Sequence, residues 1–206
     1  MHPLLDLFHQ AAAGRFPPSD GGVTFLPPLS GGWEAVVSFT GHAFVASRLG
    51  WPELVDLAPD GFGAVLNPAI LLRMAGPSGR VGVIDLTMVG FGRGGGAASP
   101  NPYLDSHPRV EYARSIRREV TAYGNPDGLF TLGDGIAGRF EMSVETSGNG
   151  EVRGRDLIAE ALTMVPEGRP VFAAVSPGNA RSLRAFLACG FVPLGSEVLV
   201  GTSAPD

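Results

Sequence analysis

Glu141, Glu145, Arg153, Arg155, Asn179 and Ser182 fall in one stretch, residues 138–191, together with glycines at 148, 150 and 154. Carboxylates such as Glu141 and Glu145 can take a proton from an attacking group, and a hydroxyl such as Ser182 can give one. The glycines precede a helical pattern, where unsatisfied backbone N–H groups and the helix dipole favour an anion. Arg153 and Arg155 either add charge-assisted contacts to that anion or are simply exposed arginines flanking a helix start. Asn179 can cap a second helix through its side-chain oxygen and keep its amide NH2 as a donor. Ser182 reads first as a small residue that allows close packing.

These side chains need elements to position them. Phe140, Met142 and Val144 alternate with Glu141, Ser143 and Glu145, the period of a strand with two unlike faces. From Arg155 the period turns helical, with Leu157, Ile158, Ala161, Leu162 and Val165 on one side. Val171 to Val175 is a short apolar strand that Pro177-Gly178 breaks. A helix from Asn179 runs through Leu183, Phe186 and Leu187 until Gly190 ends it. The order is strand, glycine loop, helix, strand, helix, strand.

That order and those residues resemble the cofactor half of the GNAT superfamily of acyl-CoA-dependent N-acyltransferases. The family's loop reads roughly Arg/Gln-x-x-Gly-x-Gly/Ala, and its later segment reads Asn, seven residues on Tyr, then Gly-Phe. Here the loop is Asn149-Gly150-Glu151-Val152-Arg153-Gly154, and the later segment runs from Asn179 through Phe186 to Gly190-Phe191. Asn149 stands for Arg/Gln, Val152 for the middle glycine, and Phe186 for the tyrosine. The first two changes weaken phosphate binding, and the third removes the usual proton donor to the leaving thiolate.

The resemblance implies a mixed α/β fold: a central, mostly antiparallel sheet flanked by helices, splayed where acyl-CoA enters. It implies one domain over residues 1–206, with 1–136 on the acceptor side and 137–206 binding acyl-CoA. It implies acetyl-CoA or another acyl-CoA as cosubstrate and the amine of a small molecule or peptide as acceptor. The cofactor-binding positions carried over are Met142, Val144, Asn149, Gly150, Glu151, Val152, Arg153, Gly154, Arg155, Asn179 and Phe186, with Phe186 expected near the thioester. Some members place a basic glutamate early in the central strand, where this chain has Gly138. Glu141 and Ser182 remain as catalytic candidates, although strand alternation puts Glu141 and Glu145 on a solvated face. Phe186 and Gly138 keep open a second reading, a non-catalytic GNAT-fold protein that binds acyl-CoA or a protein partner. Homodimerisation stays open too.

Composition excludes other chemistries. The 206-residue chain carries a net charge of −5, which disfavours a nucleic-acid binder. All fifteen basic residues are arginine, so a Walker P-loop, a Schiff-base lysine and lysine self-acetylation are absent. No serine sits in Gly-x-Ser-x-Gly, and the four histidines show no metal-ligand spacing. The lone Cys189 cannot form an internal disulfide and reads as a small buried hydrophobe. The opening MHPLLDLFHQAAAG lacks the basic residues of a secretory leader, and no run approaches the about 20 apolar residues of a membrane span. The expectation is a cytoplasmic protein without a metal.

Elsewhere the periodicities predict a helix over Leu4–Ala12, a hairpin of Glu34–Phe39 with Ala43–Ala46, and helix starts at Pro52 and Asn67-Pro68. Val81–Val89 reads as a largely apolar strand buried on both faces. Gly90-Phe91-Gly92-Arg93-Gly94-Gly95 matches Gly-x-Gly-x-x-Gly, but the prolines that follow prevent the helix a dinucleotide site requires. The expectation is a mobile surface loop bordering the acceptor site. A helix from Ser106 or His107 carries the stripe Val110, Ala113, Ile116, Val120 and Tyr123, with its arginines on a solvated face. Leu129–Leu132 should pair with Phe140–Val144 across a Gly133–Gly138 turn.

Overall fold

The computed structural model describes residues 1–148 and 152–201. It is a mixed α/β structure that divides into two compact units, Met1–Thr87 with Leu194–Asp206, and Met88–Pro193. The chain is thus cut at 87/88 and 193/194, whereas the functional division expected from sequence lay at 136/137.

The first unit begins with α1 (Pro3–Ala12), which the His2 ring caps at Leu4 N and which buries Leu4, Phe8 and Ala11. It continues with β1 (Val23–Leu26), β2 (Trp33–Phe39), β3 (His42–Ala46), α2 (Trp51–Leu54), α3 (Pro68–Ala75), β4 (Arg80–Val81) and β5 (Asp85–Phe91), whose last residues belong to the second unit. β2 and β3 form the expected hairpin, with Phe39 opposite His42, and β1 lies parallel to β3. His42 ties these elements together. Its Nδ1 lies 2.7 Å from Asp20 Oδ1 and its Nε2 lies 2.9 Å from Thr24 Oγ1. That hydrogen bond from His42 holds the Asp20 carboxyl below the usual range. Asn67 caps α3 and Gly76, at φ +71°, ends it. Ile70, Leu71 and Met74 of α3 join Val36 and Val45 in the apolar core of this unit.

The second unit comprises α4 (Pro108–Ile116), β6 (Arg118–Asn125), β7 (Gly128–Asp134), β8 (Phe140–Thr146), α5 (Gly154–Thr163), β9 (Pro170–Val175) and α6 (Ala180–Ala188). β10 (Val192–Gly201) then returns the chain to the first unit, where it runs antiparallel to β2 and β4. β6, β7 and β8 are an antiparallel meander, with Leu132 opposite Met142 as the expected pairing requires. α5 buries Leu157, Ile158, Ala161 and Leu162, the stripe read from sequence. Among the described residues, no helix is long and apolar enough to cross a membrane.

Two segments depart from expectation. The apolar run at 81–89 is interrupted at residues 82–84, and Val83 is largely exposed rather than buried on both faces. The helix from His107 ends at Ile116, so Val120 and Tyr123 lie on β6 instead. The β-prone Val-Thr-Ala-Tyr run pairs with β7, and Tyr123 stacks on Phe130 with ring centroids 4.9 Å apart. Asn125 Oδ1 closes the turn by accepting from Asp127 N and Gly128 N. The helical spacing of Ile116 and Val120 is therefore a coincidence across a helix end.

Candidate functional site

β8 and β9 run parallel, and their register is a single pair, Glu141 with Phe172. A cleft of about 370 Å³ opens at the C-terminal end of β8, lined by Val144, Glu145 and Thr146 from β8 and by Gly154 from α5. Asn179, Arg181, Ser182 and Ala185 from α6 and Arg109 from α4 complete the lining.

At the paired end, Glu141 is buried and fully engaged. It accepts from Arg139 Nε at 2.7 Å, Arg117 Nε at 2.8 Å and the Ile136 amide at 3.0 Å. A side chain at residue 135 would overlap its carboxyl group, so Gly135 makes room for this cluster. Burial alone would raise the Glu141 carboxyl, but the Arg139 and Arg117 guanidiniums outweigh it and hold the group below its ordinary value. Glu141 is thus a buried structural anion, not the residue of a solvated face. Arg117, expected on a solvated helix face, has only 8% of its side chain exposed.

Glu145, two turns of the pleat further on, sits at the open end. It accepts from Arg109 Nε at 2.7 Å, and His107 Nε2 lies 4.0 Å from its other oxygen. Among the described lining residues it is the only carboxylate.

The two helices bring their N-terminal ends to the cleft. Arg153, the N-cap of α5, makes no side-chain capping bond, because a guanidinium has no acceptor to offer the helix amides; its Nε donates to Asp156 Oδ2 at 2.8 Å. Arg155 lies 3.6 Å from the same carboxylate. A Cβ at Gly154 would meet no atom of the described residues within 4 Å, so among them the approach to this helix start is open. On α6, Asn179 Oδ1 accepts from Ser182 N at 3.0 Å, the expected cap, while its amide NH2 has no partner among the described residues. Ser182 reaches the cleft wall rather than serving only as a packing residue.

The structure separates the other expected positions. Asn149, Gly150 and Glu151 lie outside the described residues. Met142 is buried, and Val152 packs over Gly128. Phe186 does not line the cleft; it is 3% exposed and meets Phe191 edge-on at 4.8 Å. One residue of helix rotation explains this, since Ser182 and Ala185 hold the cleft face and Phe186 turns about 100° into the core. Arg109 and Arg181 were missed. Arg181 follows the Asn179 cap by two residues and was legible as a first-turn cation, whereas Arg109 depends on where α4 lies.

The Gly90–Gly96 segment is anchored, contrary to the expectation of a mobile loop. Arg93 N, Gly94 N and Gly96 N donate to the carbonyls of Leu162, Val165 and Thr163 at 2.8–2.9 Å. These are orphan carbonyls at and just past the C-terminus of α5. Arg93 Nη2 further donates to Cys189 O at 3.0 Å. Cys189, expected to be buried, is half-buried; its Sγ donates to Arg155 O, and burial, partly opposed by Arg93 and Arg155, pushes its thiol up.

No family model matches the chain, and no curated protein matches it significantly. Solved structures are similar to it at low superposition quality, among them the following three. One, assigned to the GNAT family as an acetyltransferase from Novosphingobium aromaticivorans, is 19% identical at a TM-score of 0.37, over 62% of this chain and 69% of its own. A GCN5-related N-acetyltransferase from Kribbella flavida is 15% identical at 0.37, over 68% and 64%. A protein of unknown function from Staphylococcus epidermidis is 11% identical at 0.36, over 65% and 66%.

The cleft itself defines a chemistry. Arg109 and Arg181 outnumber Glu145, and the N-terminal ends of α5 and α6 add partial positive charge. In a chain of net charge −5, this is a local preference for an anion. Val144 and Ala185 supply apolar wall, and Thr146 and Ser182 supply hydroxyls. Among the described residues, no cluster of three or more His, Cys, Asp or Glu could hold a metal.

Proposed function

We propose that this chain is an acyl-CoA-dependent N-acyltransferase that moves an acyl group, in the simplest case acetyl, to the amine of a small molecule or peptide. The observation that carries this reading is the cleft at the C-terminal end of β8, walled by α6 and reaching the start of α5. It supports the site implied by the loop at 149–154 and the segment at 179–191. A bound acyl-CoA would supply an activated thioester carbonyl. Gly154 and its neighbouring amides would hold pyrophosphate, and Asn179 would offer its free NH2 to the pantetheine arm. Val144 and Ala185 would exclude water from the arm. With Phe186 in the core, the proton for the leaving thiolate comes from Ser182, Thr146 or water. The single cysteine and the acidic composition fit a cytoplasmic protein.

A second reading, acyl-CoA or partner binding without turnover, is favoured by the engagement of Glu141 with two arginines and by the buried Phe186. One experiment separates the two. Coenzyme A should be found by mass spectrometry in denatured purified protein, and thiol release from acetyl-CoA should then be measured against an amine panel. Loss of general acid catalysis costs about 10²–10⁴-fold, so turnover should be slow but amine-dependent. Binding without amine-dependent release selects the second reading, and absence of binding defeats both.

A further inference from the structure

The two arginines of the cleft are committed differently. Arg109 donates to Glu145 and so neutralises the one carboxylate of the lining. Arg181 makes no hydrogen bond or ion pair with any described residue, although it sits in the lining. Other arginines of this unit are engaged, Arg114 with Asp105, Arg117 and Arg139 with Glu141, and Arg153 with Asp156. The side chains of Arg118 and Arg184, like that of Arg181, pair with no described residue, but neither lines the cleft.

The α5 start and Arg181 are on separate helices that line one cleft, which gives two anionic groups of one ligand a partner each. The open approach at Gly154 takes one anionic group on backbone amides. Arg181 offers a planar fork that matches a phosphate with two parallel hydrogen bonds. Coenzyme A carries two such groups, the pyrophosphate and a phosphate on the ribose 3′ oxygen. If pyrophosphate were the only anion to be held, Arg109 would already balance Glu145 and nothing would call for a second cation in the wall.

Resting on the acyl-CoA reading, we propose that Arg181 recognises the ribose 3′-phosphate, so that this protein distinguishes coenzyme A from dephospho-coenzyme A. Arg109 supports that contact by keeping Glu145 neutralised across the cleft. The discrimination is electrostatic and falls with added salt.

The test is a two-by-two measurement by calorimetry: wild type and Arg181→Ala, each with coenzyme A and with dephospho-coenzyme A. One charge-assisted contact predicts that wild type binds coenzyme A about tenfold or more tightly than dephospho-coenzyme A. Arg181→Ala should lose that preference, by weakening coenzyme A and leaving dephospho-coenzyme A unchanged. Arg181→Lys keeps the charge without the fork and should fall between. Arg184→Ala, on the same helix but outside the lining, should bind as wild type does. Equal wild-type affinities, or an Arg181→Ala loss common to both ligands, overturn the assignment and leave the acyl-CoA reading standing. A wild-type protein that binds neither ligand overturns both.

Discussion

Helix α5 has a glycine-containing segment at each end, and the two do opposite things. At its C-terminus the Gly90–Gly96 segment spends its backbone N–H groups on the helix carbonyls. At its N-terminus, Gly154 opens the helix with no capping side chain and with space in front of it. A helix end that lacks acceptors attracts anions, and one that lacks donors attracts N–H groups. Composition cannot tell these two glycine segments apart; the end of the helix each one meets does. The first is therefore a fastening, and the second is free to receive a ligand.

The largest expected effect breaks the fastening. A side chain at Gly92 would overlap the carbonyl oxygen of Pro166 and crowd that of Val165, both backbone atoms that cannot rotate away. Gly92→Ala should cost about 2–3 kcal/mol, as overpacking does. For a chain of this length that is a fall of roughly 4–12 °C in melting temperature. Limited trypsin digestion gives a second readout. In wild type, Arg15, exposed in an irregular stretch, should be cut well before Arg93. In Gly92→Ala the order should reverse or the two rates converge. Early wild-type cleavage at Arg93 would mean that the segment is not held as described.

The next effect removes the ligand and leaves the fold. Gly154→Glu places a carboxylate where an anion should sit, but no atom of the described residues lies within 4 Å of its Cβ. An acidic residue in the first turn suits the helix dipole, and replacing a helical glycine is itself favourable. The apo protein should melt at the wild-type temperature or slightly above. On the acyl-CoA reading, coenzyme A at a hundred times its dissociation constant should stabilise wild type by ~2.7 kcal/mol, or roughly 5–10 °C, and this shift should vanish in the variant. A retained shift in the folded variant would take the pyrophosphate away from α5.

These contrasts mark how far the sequence alone could be read. Helices and strands from Phe140 onward were legible, because alternation, the 3.6-residue stripe, the Asn179 cap and Gly190 all point the same way. The end of α4 was not, because Ile116 and Val120 kept helical spacing across a change to β structure. Val144, Gly154, Asn179 and Ser182 reached the cleft. Phe186 did not, because a single step of helix rotation separates a wall residue from a core residue. Glu141 was misjudged for a physical reason. Strand alternation puts Arg139 and Glu141 on one face, but it is silent on whether Arg117, 24 residues away, covers that face. Arg109 lay beyond reach for the same reason, since its partner Glu145 is 36 residues away.

The smallest effect concerns that pair and sharpens what an open helix end needs. A cleft that receives an anion should not hold a bare carboxylate, yet Glu145 lines it. Arg109 resolves the conflict by donating to Glu145 at 2.7 Å. Their side chains are 35% and 39% exposed, so solvent screening keeps the interaction small. Arg109→Ala should weaken coenzyme A by about 1 kcal/mol, roughly fivefold, through the unmasked charge of Glu145. Glu145→Gln alone should bind as well as wild type or better. The double variant Arg109→Ala/Glu145→Gln should recover most of the loss, and that recovery is the informative quantity, because it isolates the coupling from each side chain's own contacts. Raising the salt concentration should shrink the single-variant deficit toward zero while leaving the double variant little changed. If Arg109→Ala is equally weak with and without Glu145→Gln, Arg109 acts on the ligand directly. The division of labour between the two cleft arginines would then be wrong, with Arg109 and Arg181 both serving as phosphate ligands.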